Sequence, residues 1–86
     1  MELATLKNIG ATMTKKLNVV DIHSAEQLIS LGSKEAFGRL KAVYPEVCLV
    51  HLYSLQGAID NKDYNKLSEE TKKELKAFND SLRSNV

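Results

Sequence analysis

The chain has one cysteine, one proline, four glycines and no tryptophan, and each scarcity removes a class of protein. Cys48 alone forms no internal disulfide. One thiol with two histidines and no local ligand cluster predicts no zinc site. The glycines stand apart at positions 10, 32, 38 and 57, so there is no Walker loop, no dinucleotide fingerprint and no cofactor to expect. No segment keeps apolar alternation through a strand's length, and no Asn-Gly or Asp-Gly hairpin turn occurs. Long apolar runs are missing too. Met1 is followed by Glu2 and a mixed polar segment without a basic stretch, which predicts neither signal peptide nor membrane span and leaves the cytoplasm as the expected location. Finally, no sign of charge dominates. Twelve basic against eleven acidic residues give a net charge of +1, which is not the balance of a dedicated nucleic-acid binder.

What is present is ordinary globular material. With 86 residues, 43% hydrophobic and 27% charged, the chain reads as a single domain over 1–86, just above the size where a lone core becomes marginal. The small basic excess lies in the first half. Residues 1–44 hold six basic side chains (Lys7, Lys15, Lys16, Lys34, Arg39, Lys41) against four acidic ones (Glu2, Asp21, Glu26, Glu35).

Helix signals recur along the whole chain, and the expected fold is an all-α compact bundle of about five or six short helices. Leu3 and Leu6 suggest a short first helix ending at Lys7. Asn8-Ile9-Gly10 then reads as a tight turn, with Gly10 supplying a conformation costly to other residues. A second helix runs from Ala11 to about Val19 with Met13 and Leu17 inward. Ser24 and Gln27 have the spacing of a capping box that opens a helix from Ala25 to Leu31, and Gly32 closes it. Ser33 is expected to cap the next helix, with Phe37, Leu40 and Tyr44 on one face, and Pro45 stops it. Val47 to Asp60 is the most apolar stretch and should be the central helix. Cys48, Leu52, Leu55 and Ile59 form its stripe, and Val47, His51, Ser54 and Ala58 its weakly polar face. A polar connector pinned by Tyr64 and Leu67 leads to a last helix capped by Ser68. There Glu69 and Glu70 suit the positive end of the dipole, and Thr71, Leu75, Phe78 and Leu82 make a narrow stripe. Leu28, Phe37, Leu40, Leu52, Leu55 and Ile59 are expected in the core. Asn79-Asp80-Ser81 matches a glycosylation sequon, read as helix surface.

Catalytic patterns are poor. Cys48 and His51 have the spacing of a thiol and its base on one helix, but membership of the apolar stripe predicts a buried, inert thiol. Asp60-Asn61-Lys62-Asp63 fails as a calcium loop, because its sixth residue is Asn65 and its twelfth Thr71.

One local pattern stands out. Leu6-Lys7-Asn8-Ile9-Gly10, with Leu17 seven residues after the glycine, resembles the helix-hairpin-helix motif of DNA-binding proteins. The amides opening the second helix point outward, and the helix dipole there favours an anion such as phosphate. The candidate residues are Lys7, Asn8, Gly10, Thr12, Lys15 and Lys16. The motif's first hairpin glycine is Asn8 here, which tolerates a left-handed backbone. Its small contact alanine is Thr14.

Together with Asp21-Ile22-His23-Ser24-Ala25-Glu26-Gln27-Leu28, Leu31-Gly32, Glu35-Ala36-Phe37, Leu52-Tyr53-Ser54-Leu55-Gln56-Gly57-Ala58-Ile59 and Leu67-Ser68-Glu69-Glu70-Thr71-Lys72, these residues resemble the C-terminal domain of the TfoX/Sxy family of bacterial competence regulators. The likeness runs from about Leu3 to Leu75. It implies a helix-hairpin-helix or SAM-like helical fold and no catalytic residues. It also implies a part in switching on DNA-uptake genes alongside the cyclic-AMP receptor protein. Full-length members place another domain before this one, so the chain is expected to be a stand-alone relative or an excised domain. Two functional readings follow: a module that docks on the transcription machinery or a regulator protein, and a weak DNA-backbone binder using the Asn8–Lys16 hairpin.

Overall fold

The computed structural model describes residues 1–84. The chain opens with a 3₁₀ turn at Leu3–Thr5, followed by α1 (Ala11–Val19), α2 (Ala25–Leu31), α3 (Ser33–Val43) and α4 (Leu49–Asp60). A second 3₁₀ turn at Tyr64–Lys66 leads to α5 (Glu69–Ser84), and no strand occurs among the described residues. The fold is therefore an all-α bundle, as its periodicity predicts. Its radius of gyration is 11.9 Å, matching the roughly 12 Å of a compact chain of this length. Among the described residues no helix is long and apolar enough to cross a membrane.

Local chemistry sets each boundary. The chain leaves α1 through Asp21, whose left-handed backbone (φ 64°) lets Ile22 donate its amide back to the Leu17 carbonyl at 2.9 Å. Ser24 Oγ then accepts the Gln27 amide at 3.1 Å and starts α2. The reciprocal arm closes one residue earlier than a capping box would: Gln27 Oε1 accepts from the His23 amide at 2.8 Å. Gly32, at φ 88°, both ends α2 and opens α3. Ser33 is consequently the first helical residue and not the cap. Its buried hydroxyl donates instead to Gln56 Oε1 of α4 at 2.6 Å.

The largest departure from expectation is at α4, which begins at Leu49 and not at Val47. After Pro45 the chain makes one more turn. The Val47 amide donates to the Tyr44 carbonyl at 3.0 Å, and Lys41 Nζ donates to the carbonyls of Pro45 and Val47, each at 2.8 Å. That turn drives Val47 into the core and leaves Cys48 exposed as the N-cap. The buried stripe of α4 is thus Leu52, Leu55 and Ala58, while Ile59 is only half-buried. The expectations of a buried Cys48 and of Val47 and Ala58 on a polar face are both corrected.

The remaining core follows the pattern. Leu17, Ile22, Leu28, Phe37, Leu40, Leu52 and Leu55 are wholly inaccessible to solvent. Ser68 Oγ accepts the Thr71 amide at 3.1 Å and caps α5. That helix docks through Leu75, with Phe78 and Leu82 half-buried. Asn79 is also buried, contrary to its reading as surface. In the connector Leu67 is the pin, and Tyr64 points largely to solvent.

The N-terminal ammonium of Met1 sits 2.7 Å from Glu26 Oε1. The hydrogen bond from that ammonium, foremost, holds the Glu26 carboxyl below its ordinary value of 4.5. A carboxyl depressed by folding stabilises the fold above its unfolded pKa and loses that contribution as pH falls through the folded value. Carbon-detected NMR titration should therefore place the Glu26 midpoint below the ordinary value for a glutamate side chain, and Glu26→Gln should flatten the stability profile below about pH 4.5. The pair is exposed, so the effect is small.

Candidate interaction surface

The turn before α1 is built by Asn8. Its backbone is left-handed at φ 69°, the conformation asparagine tolerates best after glycine. Gly10, by contrast, lies in the extended region (φ −101°, ψ −171°) that any residue adopts, so the expectation of a special backbone there is corrected. The Asn8 side chain is spent inside the fold. Its Nδ2 donates to the Lys62 carbonyl at 2.9 Å and to the Ser54 carbonyl at 3.4 Å, and its Oδ1 accepts the Tyr64 amide at 3.3 Å. One side chain thereby clamps the start of α1 to the end of α4.

That clamp fixes where α1 begins. Gly10 caps the helix without a side-chain hydrogen bond, so the first-turn amides have no protein side chain over them. They face a cavity of about 380 Å³ lined by Asn8, Gly10, Thr12 and Lys16 from one side and by Val50, His51 and Ser54 of α4 from the other. Thr14 stands where the hairpin motif wants a small residue, and its hydroxyl donates back to the Gly10 carbonyl at 2.9 Å. The arm before the turn is a single 3₁₀ turn ending at Thr5, not a helix reaching Lys7.

The six candidate residues therefore separate. Asn8, Gly10, Thr12 and Lys16 surround one groove. Lys16 Nζ, however, lies 3.5 Å from Glu46 Oε2 and 5.1 Å from the centre of the Tyr44 ring, so its charge is turned along the α3 side. Glu46 is held below the usual carboxylate range, mainly by a backbone hydrogen bond and secondarily by Lys16, so its carboxylate is ionised at neutral pH. Lys15 is exposed and has no ion-pair partner among the described residues. Lys7 lies in a separate depression of about 460 Å³ with Asn61, Lys62, Asp63 and Lys66. Sequence reasoning missed Lys62 and Lys66, because only the long-range Asn8–Lys62 hydrogen bond brings that loop beside Lys7.

A second surface lies where α1 meets α3. The Lys16–Tyr44 contact and a 3.3 Å hydrogen bond from Arg39 Nη1 to the Val20 carbonyl bracket the junction. On these two helices Val19 and Val43 stand 59% and 51% exposed.

Fold and surface together define an all-helical domain organised around one clamped turn and its helix. Residues 1–79 match the family model of the TfoX C-terminal domain, and the chain belongs to that family, a regulatory type of domain. Two solved structures from Listeria monocytogenes are similar to it. The triclinic form of an uncharacterized protein shares 37% identity with a TM-score of 0.94, covering 96% of this chain and 94% of that one. The tetragonal form of a protein of unknown function shares 38% identity with a TM-score of 0.91, covering 94% and 99%. Among curated proteins nothing matches.

Proposed function

We propose that this chain is a non-enzymatic regulatory domain that docks on a protein of the transcription apparatus and helps to switch on DNA-uptake genes. The family resemblance points to the cyclic-AMP receptor protein as the kind of partner. The observation that carries the reading is the exposure of Val19 on α1 and Val43 on α3, two helices joined by the Arg39–Val20 and Lys16–Tyr44 contacts. Isolated exposed valines need no explanation. Two on joined helices supply the apolar part of a contact patch. Titration of the isotope-labelled domain with the cyclic-AMP-loaded receptor should shift the amides around Val19 and Val43. Val19→Asp with Val43→Asp should remove the binding while leaving the fold intact, since neither side chain belongs to the core. Binding unaffected by that double substitution would sink the assignment of this face.

The second reading, phosphate held at the start of α1, draws on the uncapped amides and on Lys7, Lys15 and Lys16. It predicts weak binding indifferent to sequence, with a log–log salt slope of roughly −0.9 for each phosphate neutralised on duplex DNA. Shifts clustered at residues 7–16 on adding a short duplex at low salt would favour it. An unchanged spectrum at millimolar duplex would leave docking as the better account.

A further inference from the structure

The lysine and arginine side chains described in the structure fall into two groups. Lys16, Lys34, Arg39 and Lys76 each sit within 3.5 Å of a carboxylate, and Lys41 is spent on two backbone carbonyls. The side chains of Lys7, Lys15, Lys62, Lys66, Lys72 and Lys73 have no hydrogen-bond or ion-pair partner among the described residues. Three of this second group converge. Lys7, Lys62 and Lys66 line one depression of about 460 Å³ with Asn61 and Asp63, so three positive charges meet a single carboxylate there. Asp60, the next carboxylate in sequence, is taken up by Gln56, whose Nε2 donates to it at 3.0 Å. Like charges gathered without partners repel one another, and an arriving anion relieves that cost.

The backbone beneath these lysines is fixed. The Lys62 amide donates to the Gly57 carbonyl at 2.8 Å, and the Lys62 carbonyl accepts from Asn8 Nδ2 at 2.9 Å. The Lys66 amide donates to the Asp63 carbonyl at 2.9 Å. The Asn8 clamp thus holds two distant, lysine-bearing segments side by side. Tyr64 adds a second observation. It opens the 3₁₀ turn that ends in Lys66, stands 43% exposed, and its hydroxyl has no hydrogen-bond partner among the described residues. The other two tyrosines are engaged: Tyr53 donates to the Lys72 carbonyl at 3.4 Å, and Tyr44 lies under Lys16. An exposed aromatic among unpaired lysines suits a single strand of nucleic acid, whose bases stack on the ring while its phosphates meet the cations.

We propose that this surface binds single-stranded nucleic acid without regard to sequence, with phosphates at Lys7, Lys62 and Lys66 and a base on Tyr64. It uses neither the Val19 and Val43 face nor the first-turn amides of α1, so it is tested separately from both readings above. Fluorescence anisotropy of a short labelled oligothymidylate, titrated with the intact chain at low salt, provides the test. Tyr64→Ala should weaken binding by at least about fivefold, and Tyr64→Phe should keep it. Lys62→Ala with Lys66→Ala should lower the log–log salt slope by roughly 0.7 for each lysine. Lys15→Ala with Lys16→Ala should leave the slope unchanged. The side chains of Tyr64, Lys62 and Lys66 make no hydrogen bond to the fold, so circular dichroism should show their variants folded. On a duplex of the same length Tyr64→Ala should change nothing. No binding of the oligothymidylate at low salt would overturn the proposal, as would equal losses from Tyr64→Ala on duplex and single strand. A response to the Lys15 and Lys16 pair alone would overturn it in favour of the α1 start. Displacement of the strand by polyglutamate at equal charge concentration would overturn it in favour of an acidic polypeptide.

Discussion

Leu52→Ala is expected to cost about 2–5 kcal/mol, the range for truncating a fully enclosed leucine, because the site loses both transfer energy and the contacts around the new void. Leu52 has no solvent exposure and sits on the buried stripe of α4 with Leu55 and Ala58. That helix adjoins α3 on one side and α5 on another, with the Tyr64–Lys66 turn beyond its end. A domain of this size holds only about 4–13 kcal/mol in total, so the loss should lower the melting temperature by roughly 10–30 °C. Val50→Ala is the control. Val50 is half exposed on the same helix, and its truncation should stay within about 0.5 kcal/mol. Urea unfolding of the two variants checks the pair. Equal midpoints would mean that α4 is not the centre of the core.

Much of this architecture is legible in the sequence because helices announce their ends chemically. Ser24, Gly32, Pro45 and Ser68 each mark a boundary that the structure keeps, since a hydroxyl cap, a permissive backbone and a missing amide act within one turn. Errors cluster where a boundary depends on a distant group. Nothing local says that the Lys41 ammonium will hold the carbonyls of Pro45 and Val47. Starting α4 two residues too early turned the helix, exchanging Cys48 for Ala58 in the core. Asn79 differs from its reading for the same reason, because a polar residue on a helix looks like surface until the neighbouring element is placed. The site was legible in part. Asn8 as a left-handed turn residue follows from its type, but its clamp on Lys62, Ser54 and Tyr64 spans more than forty residues of sequence. No periodicity carries information of that range.

Gly57→Ala should destabilise the protein, although alanine is the better helix former by about 1 kcal/mol. Gly57 is where the Asn8 turn comes down on α4. A Cβ built there would lie 2.5 Å from Asn8 Nδ2 and 2.6 Å from the Lys62 carbonyl oxygen. A flexible side chain would simply move aside. Asn8 is held by three hydrogen bonds from a left-handed backbone, so displacing it undoes the clamp. The Lys62 carbonyl is main chain and closes the end of α4: the Lys62 amide donates to the Gly57 carbonyl at 2.8 Å, and Asn61 takes the left-handed cap position. Relieving the overlap therefore opens either the clamp or the helix terminus, and overpacking of this kind costs about 1–3 kcal/mol, which exceeds the propensity gain. Gly38 provides the opposite sign. Its added methyl meets nothing within 4 Å, so Gly38→Ala in α3 should stabilise by about 0.5–1 kcal/mol. Denaturant midpoints of the two alanine variants should move in opposite directions, and amide shifts in the Gly57 variant should concentrate at residues 8–12 and 62–64. The double variant Asn8→Ala with Gly57→Ala should show a coupling above about 0.5 kcal/mol, because the two substitutions act on one contact. If Gly57→Ala stabilised the domain as Gly38→Ala does, the clamp would not be what sets the start of α1, and the groove lined by Asn8, Thr12 and Lys16 would lose its structural basis.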